Sequence, residues 1–197
     1  DKYVFYSKLD QNHRARKIYR HEIGNFNSQD ELIFEEKSEA FTVGIGLSSD
    51  ERYFFISTSD HNTSEQYYFE VNEKNPKPKL IKERKKGIIY SVNSWDGYFY
   101  NHTNENAEDF KIDRCKDLLS QNWENYISAK DEVLIGGLFF LNNWIVRSET
   151  SNALSKLFVK NKSTDKEEEL IFSDEQVIVP SVSSIQKDKN TDFVHLS

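Results

Sequence analysis

Four times along this 197-residue chain an apolar run, a short polar turn and a second, aromatic run recur together. The instances are Phe41–Leu47 with Arg52–Thr58, Gly87–Asn93 with Asp96–Thr103, Glu132–Leu141 with Asn143–Glu149, and Gln176–Val182 with Asp192–Ser197. With Val43, Ile89, Ile135 and Val179 as the centres of the first runs, the steps are 46, 46 and 44 residues. A repeat of this length marks a stack of like units, each too small to bury its own apolar faces alone. No other feature narrows the choice of fold as much.

Each pair is followed by two more strand-like runs. They are Ser64–Val71 and Pro78–Glu83, then Asp109–Cys115 and Trp123–Ile127, then Leu154–Lys160 and Glu167–Phe172. At the front, Tyr3–Leu9, Arg16–Glu22 and Glu31–Glu36 match the second, third and fourth runs, with the first missing. The run Glu65 to Val71 separates apolar from polar faces at a period of two over much of its length, as a strand does. Asp96-Gly97 and Asn142-Asn143 are turn pairs suited to tight hairpins, whose central residues take positive φ. The best helical candidate, Asn104–Leu119, has no sustained apolar stripe. Four short strands per unit of about 45 residues is the pattern of a β-propeller. The fold class is therefore all-β, a partial β-propeller of four-stranded antiparallel blades. The expected divisions are a partial blade at 1–36, blades at 41–83, 87–127 and 132–173, and a partial blade at 176–197. Gly44, Gly46, Gly136 and Gly137 fall in first strands, where blades converge and small residues are expected to fit. Both parities of the second strands should be apolar, because other blades cover both faces. The chain opens on a second strand and closes on one. Open end faces and self-association of the isolated chain are therefore expected, unless Gln176–Val182 supplies the strand missing beside Tyr3–Leu9.

Composition sets limits on partners. The formal charge is -7, whereas nucleic-acid binders present a basic face, so no nucleic acid is expected. The longest apolar stretch, near Val133 to Val146, is broken by Asn142 and Asn143 and is too short to span a bilayer. A single cysteine, Cys115, cannot form an internal disulfide, and a cytoplasmic setting is expected. Asp1 to Tyr6 do not read as a signal peptide, and without an initiating Met the true start is expected to be missing or processed.

Motifs for chemistry are weak. Gly46-Leu47-Ser48-Ser49-Asp50 approaches the G-x-S-x-G elbow but lacks the last glycine and precedes a strand, so it reads as a hairpin turn. Gly44-Ile45-Gly46 lacks the third glycine and the helix of a dinucleotide site. The histidines His13, His21, His61, His102 and His195 make no zinc spacing. Asp60-His61 is a conceivable pair, but neighbours in an extended chain point to opposite sides, so it reads as a surface loop. Glu35-Glu36 and the run Asp165 to Glu169 are acidic, the latter a solvated hairpin end, and Lys82 to Lys86 reads as a basic surface run at a blade junction. The sequons at Asn62, Asn101 and Asn161 matter only on a secreted chain. No catalytic residue, metal ligand or cofactor is expected, and no residue is assigned to substrate binding.

A more specific resemblance rests on an ordered set of residues. It includes the stretch Phe41 to Thr58, then Asp60 to Glu65, Gly97-Tyr98-Phe99-Tyr100 and Thr103 to Ala107. It continues through Phe110-Lys111-Ile112, Trp144-Ile145-Val146, Glu149 and Ala153-Leu154, with Asp10 to Arg14 and Lys17 to His21 upstream. Together these resemble the prolyl oligopeptidase family, and within it the oligopeptidase B (protease II) subgroup of serine peptidases. The resemblance implies a seven-bladed propeller, of which this chain holds about four blades' worth. In that family the propeller caps an α/β-hydrolase domain that cleaves short peptides, in this subgroup after Lys or Arg. The triad and the acidic residues that select a basic side chain lie in the hydrolase domain, so none carries over here. The expected function is a non-catalytic portion that limits access of short peptides. The expected partners are the hydrolase domain and, for the parent enzyme, basic peptides. The alternative is a stand-alone binding scaffold or an inert fragment.

Overall fold

The structure, a computed structural model, describes residues 2–171, 182–183, 189–193 and 195–196. Among them the regular elements are strands and one short 3-10 turn, Asn27–Gln29. Strands β1 (Tyr3–Leu9), β2 (Ala15–Glu22) and β3 (Glu31–Glu35) form a three-stranded sheet. Three four-stranded sheets follow. The first holds β4 (Thr42–Leu47), β5 (Tyr53–Ser59), β6 (Ser64–Glu70) and β7 (Lys79–Lys82). The second holds β8 (Tyr90–Trp95), β9 (Tyr98–Thr103), β10 (Lys111–Cys115) and β11 (Glu124–Ile127). The third holds β12 (Leu134–Phe140), β13 (Trp144–Ser151), β14 (Leu154–Asn161) and β15 (Glu167–Glu169). Two short strands, β16 (Val182–Ser183) and β17 (His195–Leu196), pair with each other. Strand order follows chain order in every sheet, as short turns between antiparallel neighbours require. These meandering four-stranded sheets are propeller blades.

The turns show how the sequence sets the register. Asp96 and Gly97 take φ of 53° and 78°, the positive pair expected of a two-residue hairpin. Asn142 and Asn143 do not take positive φ. Their turn is held from outside instead: Asn142 N–H donates to Thr191 O at 2.9 Å, and Asn143 donates to the Asp192 carboxylate through N–H at 2.7 Å and Nδ2 at 2.6 Å. The β13–β14 turn, Asn152-Ala153, takes φ of 49° and 61°. Sequence conceals it, because alanine is poorly suited to that region. Gly87–Ile89, expected as strand, instead turns at Gly87 (φ 81°), and β8 begins at Tyr90. The expected run 176–181 lies outside the described residues.

The chain divides into two compact units, Asp1–Asn101 with Cys115–Asn122, and His102–Arg114 with Trp123–Ser197. In the first unit, both faces of the β4–β7 sheet are apolar. On one face Ile56, Val43 and Phe69 pack with Ile18 of β2, and Phe5 of β1 meets Phe54 at 4.6 Å between ring centroids. On the other face Tyr53 meets Phe99 of β9 at 5.1 Å. Successive β5 residues thus serve opposite faces, as the period of two demands.

Polar side chains complete the same interface. Strand β8 is a sheet edge, so one side of its backbone has no strand to pair with. Ser64, at the start of β6, serves that edge: its Oγ accepts from Tyr90 N–H at 2.6 Å and donates to Tyr90 O at 2.7 Å. Gln66 accepts from Val92 N–H at 2.5 Å, and the Tyr90 hydroxyl accepts from Gln66 N–H at 2.8 Å while donating to Lys82 O at 2.6 Å. In the second unit the edge strand β12 is served alike. Ile135 N–H donates to Asp109 O at 2.9 Å, and Ile135 O lies 2.7 Å from His102 Nε2.

Crowding between blades, the reason expected for the first-strand glycines, is not found. An added Cβ at Gly44, Gly46 or Gly137 would meet nothing within 4 Å, so crowding between blades does not select them. Gly136 is crowded, but by its own sheet: a Cβ there would collide with Ser148 Oγ and stand 2.9 Å from Ser148 O. It sits at the irregularity between Ile135 and Leu138, where β12 bulges against β13.

Replacing Ser64 by Ala should strand two buried backbone groups of Tyr90. Unsatisfied buried groups cost roughly 1–3 kcal/mol each. A loss of about 2 kcal/mol in urea unfolding is expected, with Ser64→Thr milder. A neutral Ser64→Ala would show that the hydroxyl contributes nothing to the interface.

Candidate functional site

The serine of the near-elbow stands inside a turn. Ser48 is buried, its Oγ donates to Asp50 Oδ1 at 2.7 Å and accepts from the N–H groups of Arg52 at 3.1 Å and Tyr53 at 3.0 Å. Every direction of that hydroxyl is engaged in shaping the hairpin. Across the turn, Asn93 holds Ser49 through N–H at 2.9 Å and Oγ at 2.8 Å, and Ser94 Oγ donates to Asp50 at 2.7 Å. Gly44 to Gly46 lie within β4, paired along β5, which is no geometry for a phosphate loop.

The histidines are dispersed. Asp60 does not orient His61: its Oδ1 accepts from Asn62 N–H at 2.9 Å and Thr63 N–H at 2.7 Å, closing its own loop. His13 lies in the β1–β2 turn with φ 58°. His21 Nδ1 is 2.7 Å from Asp30 Oδ1, and the Tyr6 hydroxyl donates to Asp30 Oδ2 at 2.6 Å. This trio joins β1 and β2 to the residue before β3, and it holds the Asp30 carboxyl below its usual range and pushes the Tyr6 phenol up to about 12. The spacing of His21 and Asp30 gave no sign of it, because register, not sequence distance, brings them together. His102 bonds to β12 as described, and the side chain of His195 lies outside the described residues. Among the described residues no three His, Cys, Asp or Glu converge as a metal set. Cys115 is buried, which pushes its thiol up to about 11 and leaves it a poor nucleophile.

The most developed charged constellation was not legible in the sequence. Arg84, inside the expected basic surface run, reaches down to two buried carboxylates. Its Nη2 lies 2.7 Å from Glu36 Oε2 and 2.8 Å from Glu65 Oε2, its Nε donates to Glu65 Oε2 at 3.2 Å, and its N–H donates to Glu65 Oε1 at 3.0 Å. The Tyr67 hydroxyl donates to Glu65 at 2.8 Å, and Ser38 N–H donates to Glu36 at 2.8 Å. The guanidinium also lies over Phe41, 4.1 Å from the ring centroid. Burial works against both carboxylates, but these donors outweigh it and hold each below the usual carboxylate range. Burial likewise opposes the Arg84 charge, and the two glutamates outweigh it. Glu36 follows β3 and Arg84 follows β7, so the cluster fastens the connectors that leave successive sheets. Glu35 turns instead to Lys17 at 3.4 Å and to Lys37, so the two neighbouring carboxylates serve different partners.

In the second unit Arg147 is buried between Glu149 and Glu167, the latter at 2.5 Å, and lies 4.5 Å from the Phe158 centroid, while Lys130 reaches Glu149 at 2.6 Å. The acidic run is thus partly a counterion to a buried arginine rather than only a solvated end. Of the sequons, Asn101 is buried in β9, and Asn161 Oδ1 accepts from Ser163 N–H and Thr164 N–H, each at 3.0 Å.

The described constellations hold strands, turns and connectors, and what they define is a propeller whose polar groups serve its architecture. Residues 1–197 match the family model of the prolyl oligopeptidase N-terminal β-propeller domain. The chain belongs to that family. Protease 2 of Moraxella lacunata is 30% identical over 186 residues, covering 93% of this chain and 26% of that protein. Dipeptidyl aminopeptidase BI of Pseudoxanthomonas mexicana is 25% identical, covering 93% and 25%. Among solved structures, oligopeptidase B from Trypanosoma brucei, in a closed form with covalently bound antipain, superposes with a TM-score of 0.89 at 24% identity. That match covers 99% of this chain and 29% of the other. The chain therefore spans about a quarter of the length of these protein relatives.

Truncating Arg84 to Ala should leave two buried anions facing each other. Breaking a buried ion pair costs roughly 3–5 kcal/mol, and Arg84 is partly exposed, so a loss of about 3 kcal/mol is expected. Adding Glu36→Gln and Glu65→Gln should recover part of it. Both glutamates are depressed below 4.5, so their stabilisation is complete above that pH and is lost as pH falls through their folded values. The triple variant should therefore show a flatter acid limb in urea midpoints from pH 6 to pH 3. An unchanged acid limb would remove the cluster from the account.

Proposed function

We propose that this chain is the non-catalytic propeller portion of a serine oligopeptidase. In this reading it limits access to a hydrolase domain supplied outside these residues, which cleaves short peptides after Lys or Arg. The observation that carries the proposal is the family match along the whole chain, joined to a relative whose name is Protease 2. Two structural features agree with it. The described serines and histidines serve turns and strand edges rather than one reacting centre, whereas acyl transfer needs a positioned nucleophile, a base and oxyanion donors. The interfaces between sheets are dense with hydrogen bonds, so the wall resists the separation that would admit a bulky substrate.

The purified chain should not turn over an arginyl ester. Turnover that survives repeated purification and vanishes on mutating one serine of this chain would contradict the proposal. Placed in a full-length protein of this family in exchange for the matching propeller segment, the chain should permit cleavage of short Arg- and Lys-containing peptides and not of a folded protein. Arg84→Ala in that assembly should raise cleavage of long peptides relative to short ones. Equal cleavage of long and short peptides by the unmodified assembly would refute a size filter.

A further inference from the structure

We propose that the outer side of β4 is a docking edge for an extended peptide, which joins the sheet beside Val43 and Ile45. The inference rests on the reading of this chain as a filter for short peptides, and it names the place where such a peptide is held.

The first observation is a pair of residues with unserved main-chain groups. Strand β4 pairs with β5 on one side, from Thr42 opposite Ser59 to Leu47 opposite Phe54. Ser48 N–H donates to Tyr53 O at 2.8 Å, which fixes the phase of that ladder. In an antiparallel pair, residues alternately bond the neighbour and face away from it. Gly44 and Gly46 therefore bond β5, while Val43 and Ile45 turn their N–H and C=O outward. On β8 and β12 such outward groups are taken up by Ser64, Gln66, Asp109 and His102. Among the described residues nothing takes up those of Val43 and Ile45. The sequence shows why. Ala15 holds the end pair of β2 that Ser64 holds in β6, and alanine has no hydroxyl to offer. Arg16 beside it gives its guanidinium to Glu36 O at 3.1 Å and Lys37 O at 2.9 Å.

The second observation is the glycines. Gly44 and Gly46 are exposed, take no positive φ, and have room for a Cβ with nothing within 4 Å. Neither conformation nor packing within this chain calls for glycine there, and glycine weakens a strand. A docked strand supplies the reason. Its residues opposite Gly44 and Gly46 form the close, non-hydrogen-bonded pairs, with Cα atoms about 4.5 Å apart. Their side chains lean over the bare glycines, so long ones such as Lys or Arg are admitted. On the opposite face Val43 packs with Ile18, Ile56 and Phe69, which holds the edge in place.

The occupant follows from the same features. An edge of unpaired main-chain groups recognises an extended backbone. The formal charge of -7 attracts a basic peptide and repels a second copy of this chain.

Amide hydrogen exchange of the full chain, read residue by residue by NMR, tests this with a blocked octapeptide of alternating arginine and valine. With about nine-tenths of the chain bound, the amides of Val43 and Ile45 should slow by about tenfold, because exchange then runs through the free form alone. Tyr90 and Val92 should not change. The same peptide N-methylated throughout keeps its side chains but cannot donate to the edge, and should leave Val43 and Ile45 as in the free chain. Gly44→Val should keep the urea midpoint and bind the octapeptide about fivefold more weakly, since its side chain fills the space opposite the docked residue. The proposal fails if both peptides slow the two amides equally, if neither does, or if Gly44→Val binds as tightly as the unmodified chain. It fails also if the two amides are already slow without peptide. Slowing that grows with protein concentration assigns the edge to a second copy, and slowing independent of concentration assigns it to a segment of this chain such as 176–182. The hydrolase domain takes no part in this measurement, so its outcome and that of the size filter are read separately.

Discussion

The first strand of a blade is a sheet edge whose backbone groups are buried, and the structure depends on how those groups are satisfied. A strand such as β8 or β12 pairs on one side only, so its other side carries donors and acceptors with no strand to meet. Leaving them dry costs about as much per group as a hydrophobic side chain gains on burial. The solution is for the preceding segment to present matched polar groups: Ser64 and Gln66 at β8, and Asp109 with His102 at β12. Apolar faces hold the blades together without fixing how they slide. The bonds to Tyr90, Val92 and Ile135 accept one alignment only, so they convert apolar adhesion into register.

The charged clusters follow from the same geometry. Connectors leave each sheet at its outer strand and must reach the next sheet's edge, crossing apolar surface. Glu36 and Arg84 stand on successive connectors and meet over Glu65, with Phe41 beneath the guanidinium. Arginine suits this position because its planar fork bonds two carboxylates while its face rests on a ring. The outer strand β15, Glu167–Glu169, is wholly acidic and exposed, which discourages pairing by another chain, while Glu167 also neutralises Arg147.

Much of the architecture was legible because it is written in local patterns. The alternation in Glu65 to Val71 and the Asp96-Gly97 turn need no knowledge of what lies across the interface. The repeat itself predicted sheets that meander in chain order. What escaped depends on distant partners. Arg84 sits in a basic run that reads as surface, and only the fold reveals Glu36 and Glu65 beneath it. Asn142-Asn143 has the composition of a self-sufficient turn, yet Thr191 and Asp192 hold it. The Asn152-Ala153 turn places alanine where glycine or asparagine would be expected, because an eight-pair register between β13 and β14 imposes it. The first-strand glycines were assigned to crowding between blades, but crowding is found only at Gly136, within its own sheet.

Native-state hydrogen exchange at neutral pH on the amides of Tyr90, Val92 and Ile135 tests the central claim most directly. These are edge-strand amides bonded not to a neighbouring strand but to Ser64 Oγ, Gln66 Oε1 and Asp109 O. If the preceding segment seals the edge, they exchange only through the global unfolding of their unit, as slowly as amides in the middle of β5 or β13. Exchange at the rates of a frayed, solvent-facing edge, with β5 and β13 still protected, would contradict the account.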